Sequence, residues 1–201
     1  MGLIGSGGEG GAIGLNSIGG ESTLQVENSL FDRNTIRNRG GGTIFHGKGK
    51  FTAEFRQCTC IVGARTNGFY LGGNFPPPIL ENCIVVSEPG ETSSPIATNA
   101  AIVMHSLVEG GYPGEGNIDT DPQFVDIEGG DYHLQRGSPC IDSGTDTGLT
   151  IDFEGSPRPI GDYDMGAFEF PVLRSDFDGN RVVDKIDLII FSQDWGKVSV
   201  P

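Results

Sequence analysis

The sequence predicts an all-β fold of stacked coils, and two recurring landmarks and a glycine-rich composition predict it. The first landmark is a four-residue unit: an apolar residue, usually a charge, an amide or imidazole, then a small residue. It reads Val26-Glu27-Asn28-Ser29, Phe55-Arg56-Gln57-Cys58, Leu80-Glu81-Asn82-Cys83 and Val103-Met104-His105-Ser106, with steps of 29, 25 and 23 residues between third positions. The second landmark precedes each copy: Gly11-Ala12-Ile13, Gly42-Thr43-Ile44, Gly68-Phe69-Tyr70 and the weaker Ser94-Pro95-Ile96. Repeats of this length, built from short apolar runs and Gly or Asn corners without a helical period, indicate coils stacked on one another. Glycine accounts for 33 of 201 residues and proline for 12, without a G-X-Y period, which suits a turn-rich β protein. A twisted sandwich with coincidental Asn-Cys pairs is the competing reading. Two landmarks kept in one order through four units favour the coils.

Stacking has consequences for named residues. Equivalent positions of successive coils lie about 4.8 Å apart. Asn28, Gln57, Asn82 and His105 then form an inward ladder at a corner, satisfying backbone groups that the bend leaves unpaired. Glu27, Arg56, Glu81 and Met104 become equivalent outward positions. Cys58 and Cys83 fall on adjacent coils, inside the disulfide window of about 4.4–6.8 Å between Cα atoms; buried free thiols are the favoured alternative.

Composition narrows the function classes. Thirteen basic residues against 27 acidic ones give a net charge of −14. Nucleic acid and anionic lipid are poor partners for such a surface, because either needs a positive patch. Cations are its natural partners, calcium first, although a salt-adapted acidic surface accounts for the charge equally well. The four cysteines, Cys58, Cys60, Cys83 and Cys140, follow no C-x₂-C metal pattern. No stretch approaches the roughly 20 apolar residues of a membrane span. The opening Met1-Gly2-Leu3-Ile4 lacks a signal peptide's charged and apolar regions; the expectation is a chain that starts inside a repeat, with further coils upstream.

Residues 7–39 are the first recognisable coil, 40–66 and 67–92 the next two, and 93–111 a shorter fourth. Pro76-Pro77-Pro78 precedes the third corner strand and must be a loop, since proline cannot donate to a ladder. Gly11-Ala12-Ile13 and Phe31-Asp32-Arg33-Asn34 resemble the GGAI and FxxN repeats of bacterial polymorphic outer-membrane proteins and related right-handed parallel β-helix surface proteins. Beyond Gly116 come Asp119-Thr120-Asp121-Pro122, Gly130-Asp131-Tyr132-His133-Leu134, Gly137-Ser138-Pro139-Cys140-Ile141-Asp142 and Asp164-Met165-Gly166-Ala167-Phe168-Glu169-Phe170. Their order resembles the choice-of-anchor region that closes many bacterial surface β-helix proteins. Strands at Tyr132–Leu134 and Ala167–Phe170 are expected to cover the last coil's open edge, which otherwise invites aggregation.

The tail carries a different signal. Asp176, Asp178, Asn180, Asp184 and Asp187 occupy positions 1, 3, 5, 9 and 12 of a twelve-residue loop, with the Val182 carbonyl at position 7. That is the ligand order of an EF-hand calcium loop. Leu188, Phe191 and Trp195 then recur at helical spacing. The stretch resembles one repeat of a type I dockerin, which implies calcium as cofactor and a cohesin-like protein as partner. It departs from that pattern at position 6, where Arg181 replaces glycine and opposes a left-handed turn by about 1–2 kcal/mol. It also has a single repeat where dockerins have two.

Signals for catalysis are sparse. Parallel β-helices often host polysaccharide lyases and hydrolases, which need a cationic base near carboxylates or a separated acid pair. Glu27, Arg56 and Glu81 are the catalytic candidates on these grounds. The blander reading, a surface ion-pair ladder of small energetic value, is favoured. Lys48, Lys50 and Arg56 form the sole basic cluster, suited either to an acidic glycan or to solvent. His46, His105 and His133 share no metal-ligand spacing, and His105 sits at a corner, where a structural role is the default. Neither G-x-S-x-G nor a P-loop occurs.

These observations predict a right-handed parallel β-helix over 1–115, a closing cap over 116–171 and a dockerin-like calcium tail over 172–201. The expected protein is an extracellular or surface-displayed structural or adhesive module, with a cell-surface or glycan ligand and a tail used in attachment. The alternative is a polysaccharide-active lyase or glycoside hydrolase fragment.

Overall fold

Alternating apolar residues in short runs, cut by residues that tolerate tight bends, produce strands two to six residues long that pair with the next turn of chain. The computed structural model describes residues 12–16, 22–34, 44–48, 51–63, 68–71, 76–90, 95–96, 101–171 and 184–194. Its first eleven strands are β1 (Ile13–Asn16), β2 (Ser22–Glu27), β3 (Leu30–Asn34), β4 (Phe45–Lys48), β5 (Phe51–Arg56), β6 (Thr59–Val62), β7 (Phe69–Leu71), β8 (Ile79–Glu81), β9 (Ile84–Ser87), β10 (Ile102–Met104) and β11 (Leu107–Val108). They form three parallel sheets, ordered β1-β4-β7, β2-β5-β8-β10 and β3-β6-β9-β11, which the chain visits in rotation. A bridge from Phe69 to Ile96 extends the first sheet toward the fourth passage. The protein is therefore all-β in its main body, with parallel sheets and little helix.

The corner landmark keeps strict step. Val26 pairs with Phe55, Phe55 with Leu80 and Leu80 with Val103, and the next residues, Glu27, Arg56, Glu81 and Met104, follow in the same register. The third position of every copy has left-handed backbone: φ is 43° at Asn28, 53° at Gln57, 52° at Asn82 and 46° at His105. Asn and His are among the non-glycine residues enriched in that region. Backbone bonds continue the ladder through each bend, from Asn28 N to the Arg56 carbonyl (3.1 Å), Gln57 N to Glu81 (3.0 Å) and Asn82 N to Met104 (3.4 Å).

The side chains at these corners point elsewhere than expected. The small fourth residue takes the inside of the bend and folds back on the carbonyl two residues earlier: Ser29 Oγ to Glu27 (2.8 Å), Cys58 Sγ to Arg56 (3.3 Å), Cys83 Sγ to Glu81 (3.4 Å) and Ser106 Oγ to Met104 (2.8 Å). The amides of Asn28 and Asn82 turn outward instead. Asn28 Nδ2 donates to the Ile151 carbonyl (2.7 Å), and Asn82 Nδ2 donates to the Thr145 carbonyl (2.6 Å) while its Oδ1 accepts from Thr145 N (2.9 Å). A residue in the left-handed region places its side chain outside the bend, so the inward amide ladder is corrected to a row of outward hooks.

The glycine landmark is also out of step by one residue in the middle units. Ile13 pairs with Phe45, not Ile44, and Phe45 pairs with Phe69, not Tyr70. Core packing sets that register, because Phe45 and Phe69 both meet Phe55 edge-on, at ring separations of 5.5 and 5.2 Å. In β3 the ladder slips between Asp32 and Asn34, where Arg33 has a φ of 44°.

Two cores result. Alternation in β5 sends Phe51, Ala53 and Phe55 into an inner core with Cys58, Cys60, Leu80, Cys83, Val85 and Val103. The strands β6 and β9 are buried on both faces. Their sequences, Thr59-Cys60-Ile61-Val62 and Ile84-Val85-Val86-Ser87, are near-continuous apolar runs, as strands covered on both sides require. Ile61, Ile84, Val86 and Leu107 form the floor of the second core, and Phe124, Tyr132, Leu134, Cys140, Met165 and Phe168 cover it.

The C-terminal region thus lies along the outer face of the β3-β6-β9-β11 sheet, and this corrects the expected cover over the last coil. Strands β12 (Phe124–Asp126) and β13 (Asp131–Leu134) pair antiparallel as a small ribbon. Residues Ala167–Glu169 are buried and Phe170 is half-buried, without forming a strand. Gly166 has a φ of 95° and comes so close that an added Cβ would meet Ile84 Cδ1 at 2.7 Å and Thr59 Oγ1 at 2.8 Å. The edge beside β10 and β11 is met by residues 112–118 instead. Ile118 bridges to Leu107, the Asn117 side chain accepts from Ser106 N (3.1 Å) and donates to the Val103 carbonyl (3.0 Å), and Tyr112 Oη bonds both backbone groups of Ala101.

Polar anchors hold this covering layer. Arg158 and Glu169, both fully buried, pair at 2.7 Å, and Arg158 also reaches Asn28 Oδ1 (3.0 Å) and the Gly166 carbonyl (3.0 Å). Tyr132 Oη donates to Asp32 (2.6 Å). Burial pushes the Asp164 carboxyl up to about 7, against the backbone donors of Asp142 and Phe170 that hold it down and with Glu169 and Asp142 adding to the rise. A carboxyl raised on folding stabilises the fold below its unfolded value of about 4, and that contribution is lost as pH rises to about 7. The expected result is a higher thermal midpoint at pH 5 than at pH 8, followed by circular dichroism. Asp164→Asn should flatten the slope between pH 4 and 7; an unchanged slope would assign the pH dependence elsewhere.

The helix α1 (Lys185–Asp194) closes the described residues, with Asp184 capping it: its Oδ1 accepts from Ile186 N at 2.6 Å.

Candidate functional site

The three catalytic candidates meet on the outward face of the β2-β5-β8-β10 sheet. Strand register stacks Glu27, Arg56 and Glu81 on successive turns. Period-two alternation adds Glu54 beside them, a residue the landmark alone did not single out. Arg56 is held by all three carboxylates: Glu54 at 3.1 Å, Glu81 at 3.3 Å and Glu27 at 3.8 Å. Gln25 Nε2 donates to Glu54 at 3.4 Å, and Met104 and the exposed Ile102 continue the face. All four charged side chains keep a fifth or more of their surface in solvent, so the pairs are screened and contribute on the order of 1 kcal/mol or less each. Arg56 therefore stands as one cation among three carboxylates. Within the basic cluster, Lys50 and the Lys48 side chain lie outside the described residues.

Of the six proposed calcium ligands, Asp176, Asp178, Asn180 and Val182 lie outside the described residues. Asp184 and Asp187 stand at the start of α1, where Asp187 Oδ2 accepts from Asp184 N at 2.8 Å. Asp187 is 2% exposed, although Ile186, Leu188 and Ile189 beside it are 44–65% exposed. Among the described residues, no group of three or more His, Cys, Asp or Glu side chains is arranged to hold a metal.

The histidines separate. His105 is the fourth corner residue, and its N–H donates to the Glu115 carbonyl at 2.7 Å, so its place is architectural. His133 sits between Asp131 (2.6 Å to Nδ1) and Glu154 (3.3 Å to Nε2), with its ring 4.5 Å from that of Phe168. Partial burial lowers its pKa, but the two carboxylates outweigh that and raise it overall. Sequence reasoning had no spacing rule to find this trio, because Glu154 reaches His133 only through the fold. All four cysteines are buried and unbridged, and burial pushes the Cys140 thiol up to about 12, away from reactivity at neutral pH.

A cleft of about 660 Å³ lies between the end of β9 and the segment leading to β12. Carboxylates of Glu88, Glu109, Asp119 and Asp121 line it with Pro122 and Phe124. Three of those acids already accept backbone donors: Glu109 from Ser87 N (2.6 Å), Asp119 from Gly110 N (2.9 Å) and Asp121 from Gln123 N (2.8 Å). They shape the turns that form the wall. No helix among the described residues is long and apolar enough to cross a membrane.

Comparison with known proteins returns no matching family model, no matching curated protein and no matching solved structure.

Proposed function

We propose that this chain is a structural or adhesive module of an extracellular or surface-displayed protein, built as a right-handed parallel β-helix with a calcium-binding tail. Three parallel sheets visited in rotation, with left-handed corners in register, support the helical winding. The observation that carries the functional reading is the Arg56 cluster. The face on which β-helix enzymes act presents Glu27, Glu54, Arg56 and Glu81 as an ion-pair ladder, with three carboxylates around one guanidinium. Such a face suits a rigid rod that displays side chains to a cell-surface or glycan ligand. For the tail, the support is the spacing of the oxygen side chains, Asp176, Asp178, Asn180, Asp184 and Asp187, in the order of a calcium loop.

Calorimetric titration of the intact chain with calcium tests the tail. Saturable binding with one-to-one stoichiometry is expected, and the doubly substituted Asp176→Ala, Asp187→Ala chain should lose it. Absence of heat in the parent chain would remove calcium, and with it cohesin-type attachment, from the reading. Cleavage of pectin- or alginate-type polymers by the same chain, abolished by Arg56→Ala, would replace the adhesive reading with the enzymatic one.

A further inference from the structure

We propose that Cys58 and Cys83 form a redox-sensitive clamp between successive turns of the chain, closing as a disulfide when folding takes place under oxidising conditions. The inference is independent of the calcium-binding and adhesive readings. It rests on register and direction.

Register comes first. Arg56 pairs with Glu81 on one side of the corner and Thr59 with Ile84 on the other, both offset by 25 residues. Cys58 and Cys83 carry the same offset and lie between those pairs, and Ile84 N donates to the Cys58 carbonyl at 2.9 Å. The ladder is unbroken across the bend, so the two Cα atoms stand near the strand spacing of about 4.8 Å, inside the window for a disulfide.

Direction comes second. Each Sγ lies on the inner side of its bend, within reach of the carbonyl two residues back and of one on the preceding turn: Arg56 (3.3 Å) and Val26 (3.6 Å) for Cys58, Glu81 (3.4 Å) and Phe55 (3.4 Å) for Cys83. The two thiols therefore point the same way, one above the other. Closure gives up thiol contacts, which are weak hydrogen bonds, and draws the Cβ atoms in from the strand spacing to about 3.5–4.5 Å. The outer members of the same column are Ser29 and Ser106, so the clamp joins the two middle turns alone.

Cys60 shares the inner core with Cys58 and Cys83, but its backbone is paired with Phe31 on one side and Val85 on the other, so a Cys60–Cys83 link is the rival outcome that the mapping must exclude. Cys140 belongs to the outer core, on the far side of the sheet.

Both sulfurs are fully buried in the folded chain, so closure occurs during folding, before the inner core packs. With glutathione disulfide as oxidant, one cysteine thiolate attacks it, forming a mixed disulfide and releasing one glutathione thiolate. The second cysteine attacks the protein-side sulfur, forming the Sγ–Sγ bond and releasing the second glutathione. Two cysteine thiols are oxidised, one glutathione disulfide is reduced to two glutathiones, and the cysteine protons end on those thiols.

The test is refolding of the denatured full-length chain in a glutathione buffer poised oxidising, in parallel with refolding in dithiothreitol. Alkylation after denaturation, intact mass and peptide mapping then count and locate the thiols. The expected result is two alkylatable thiols of four after oxidative refolding, with Cys58 linked to Cys83 within one chain. Cys58→Ser and Cys83→Ser should each retain three alkylatable thiols, while Cys60→Ser and Cys140→Ser still form the link. The clamped chain should melt higher than the reduced one by about 5 °C or more, because a cross-link restricts the unfolded state. Four alkylatable thiols in a chain with native circular dichroism would overturn the proposal, and so would a Cys60–Cys83, Cys58–Cys60 or intermolecular link.

Discussion

Arg158→Ala should destabilise the protein by about 3–5 kcal/mol in denaturant titrations followed by circular dichroism, the cost of leaving a buried partner charge uncompensated. The guanidinium is fully buried and connects three parts of the chain: Glu169 at 2.7 Å, the Gly166 carbonyl and the Asn28 corner amide, each at 3.0 Å. Its loss leaves the Glu169 carboxylate with the Ile160 N–H at 2.7 Å, while the buried Asp152 and Asp164 beside it add like charge. The same logic makes Glu169→Ala costly. Joint replacement by apolar residues of similar size, Arg158→Met with Glu169→Leu, should recover much of either loss, since it removes both desolvation penalties together. If Arg158→Ala stays within about 1 kcal/mol of the parent, the covering layer is not held by this pair.

Phe55→Ala should cost about 3–5 kcal/mol by the same measurement, through lost burial and the cavity it leaves. Phe55 is completely buried and sits where the three sheets converge. Its ring meets those of Phe31 (6.3 Å), Phe45 (5.5 Å) and Phe69 (5.2 Å) edge-on. Those partners come from three strands in two other sheets, so no single strand can shift to fill the gap. Phe153→Ala provides the contrast. That ring is 48% exposed and touches Phe168 at 5.3 Å, so its truncation should cost well under half as much. Equal losses at the two positions would mean that the inner aromatic column is not the main source of cohesion.

The residues of the corner unit were legible in the sequence because each has a local reason to be where it is. Asn or His tolerates the left-handed bend, a small residue fits inside it, and a period of two fixes which neighbours face inward. Those rules alone stack Val26, Phe55, Leu80 and Val103, and they place Glu27, Arg56 and Glu81 on one outward face, as the register has it. Glu54 was equally accessible, two residues before Arg56, but a landmark read as a block of four did not reach it. The glycine landmark misled by one residue because glycine marks a turn without stating which following side chain enters the core; the packing of Phe45 and Phe69 on Phe55 decides that.

What the sequence by itself determined is the parallel pairing of short strands, their order and the stacking of the corner unit, all set by local backbone preference and alternation. The tertiary structure alone decided where residues 119–171 lie. The apolar runs Cys60-Ile61-Val62 and Ile84-Val85-Val86 announce that their sheet is covered on both faces, yet hydrophobic burial is non-directional and does not name the cover. The choice of the outer sheet face over the coil edge comes from polar anchors between residues far apart in the chain. Arg158 meets Asn28 across 130 residues, Tyr132 meets Asp32 across 100 and Asn82 meets Thr145 across 63. Hydrogen bonds of that separation have no sequence period, because their geometry exists only once both layers are in place.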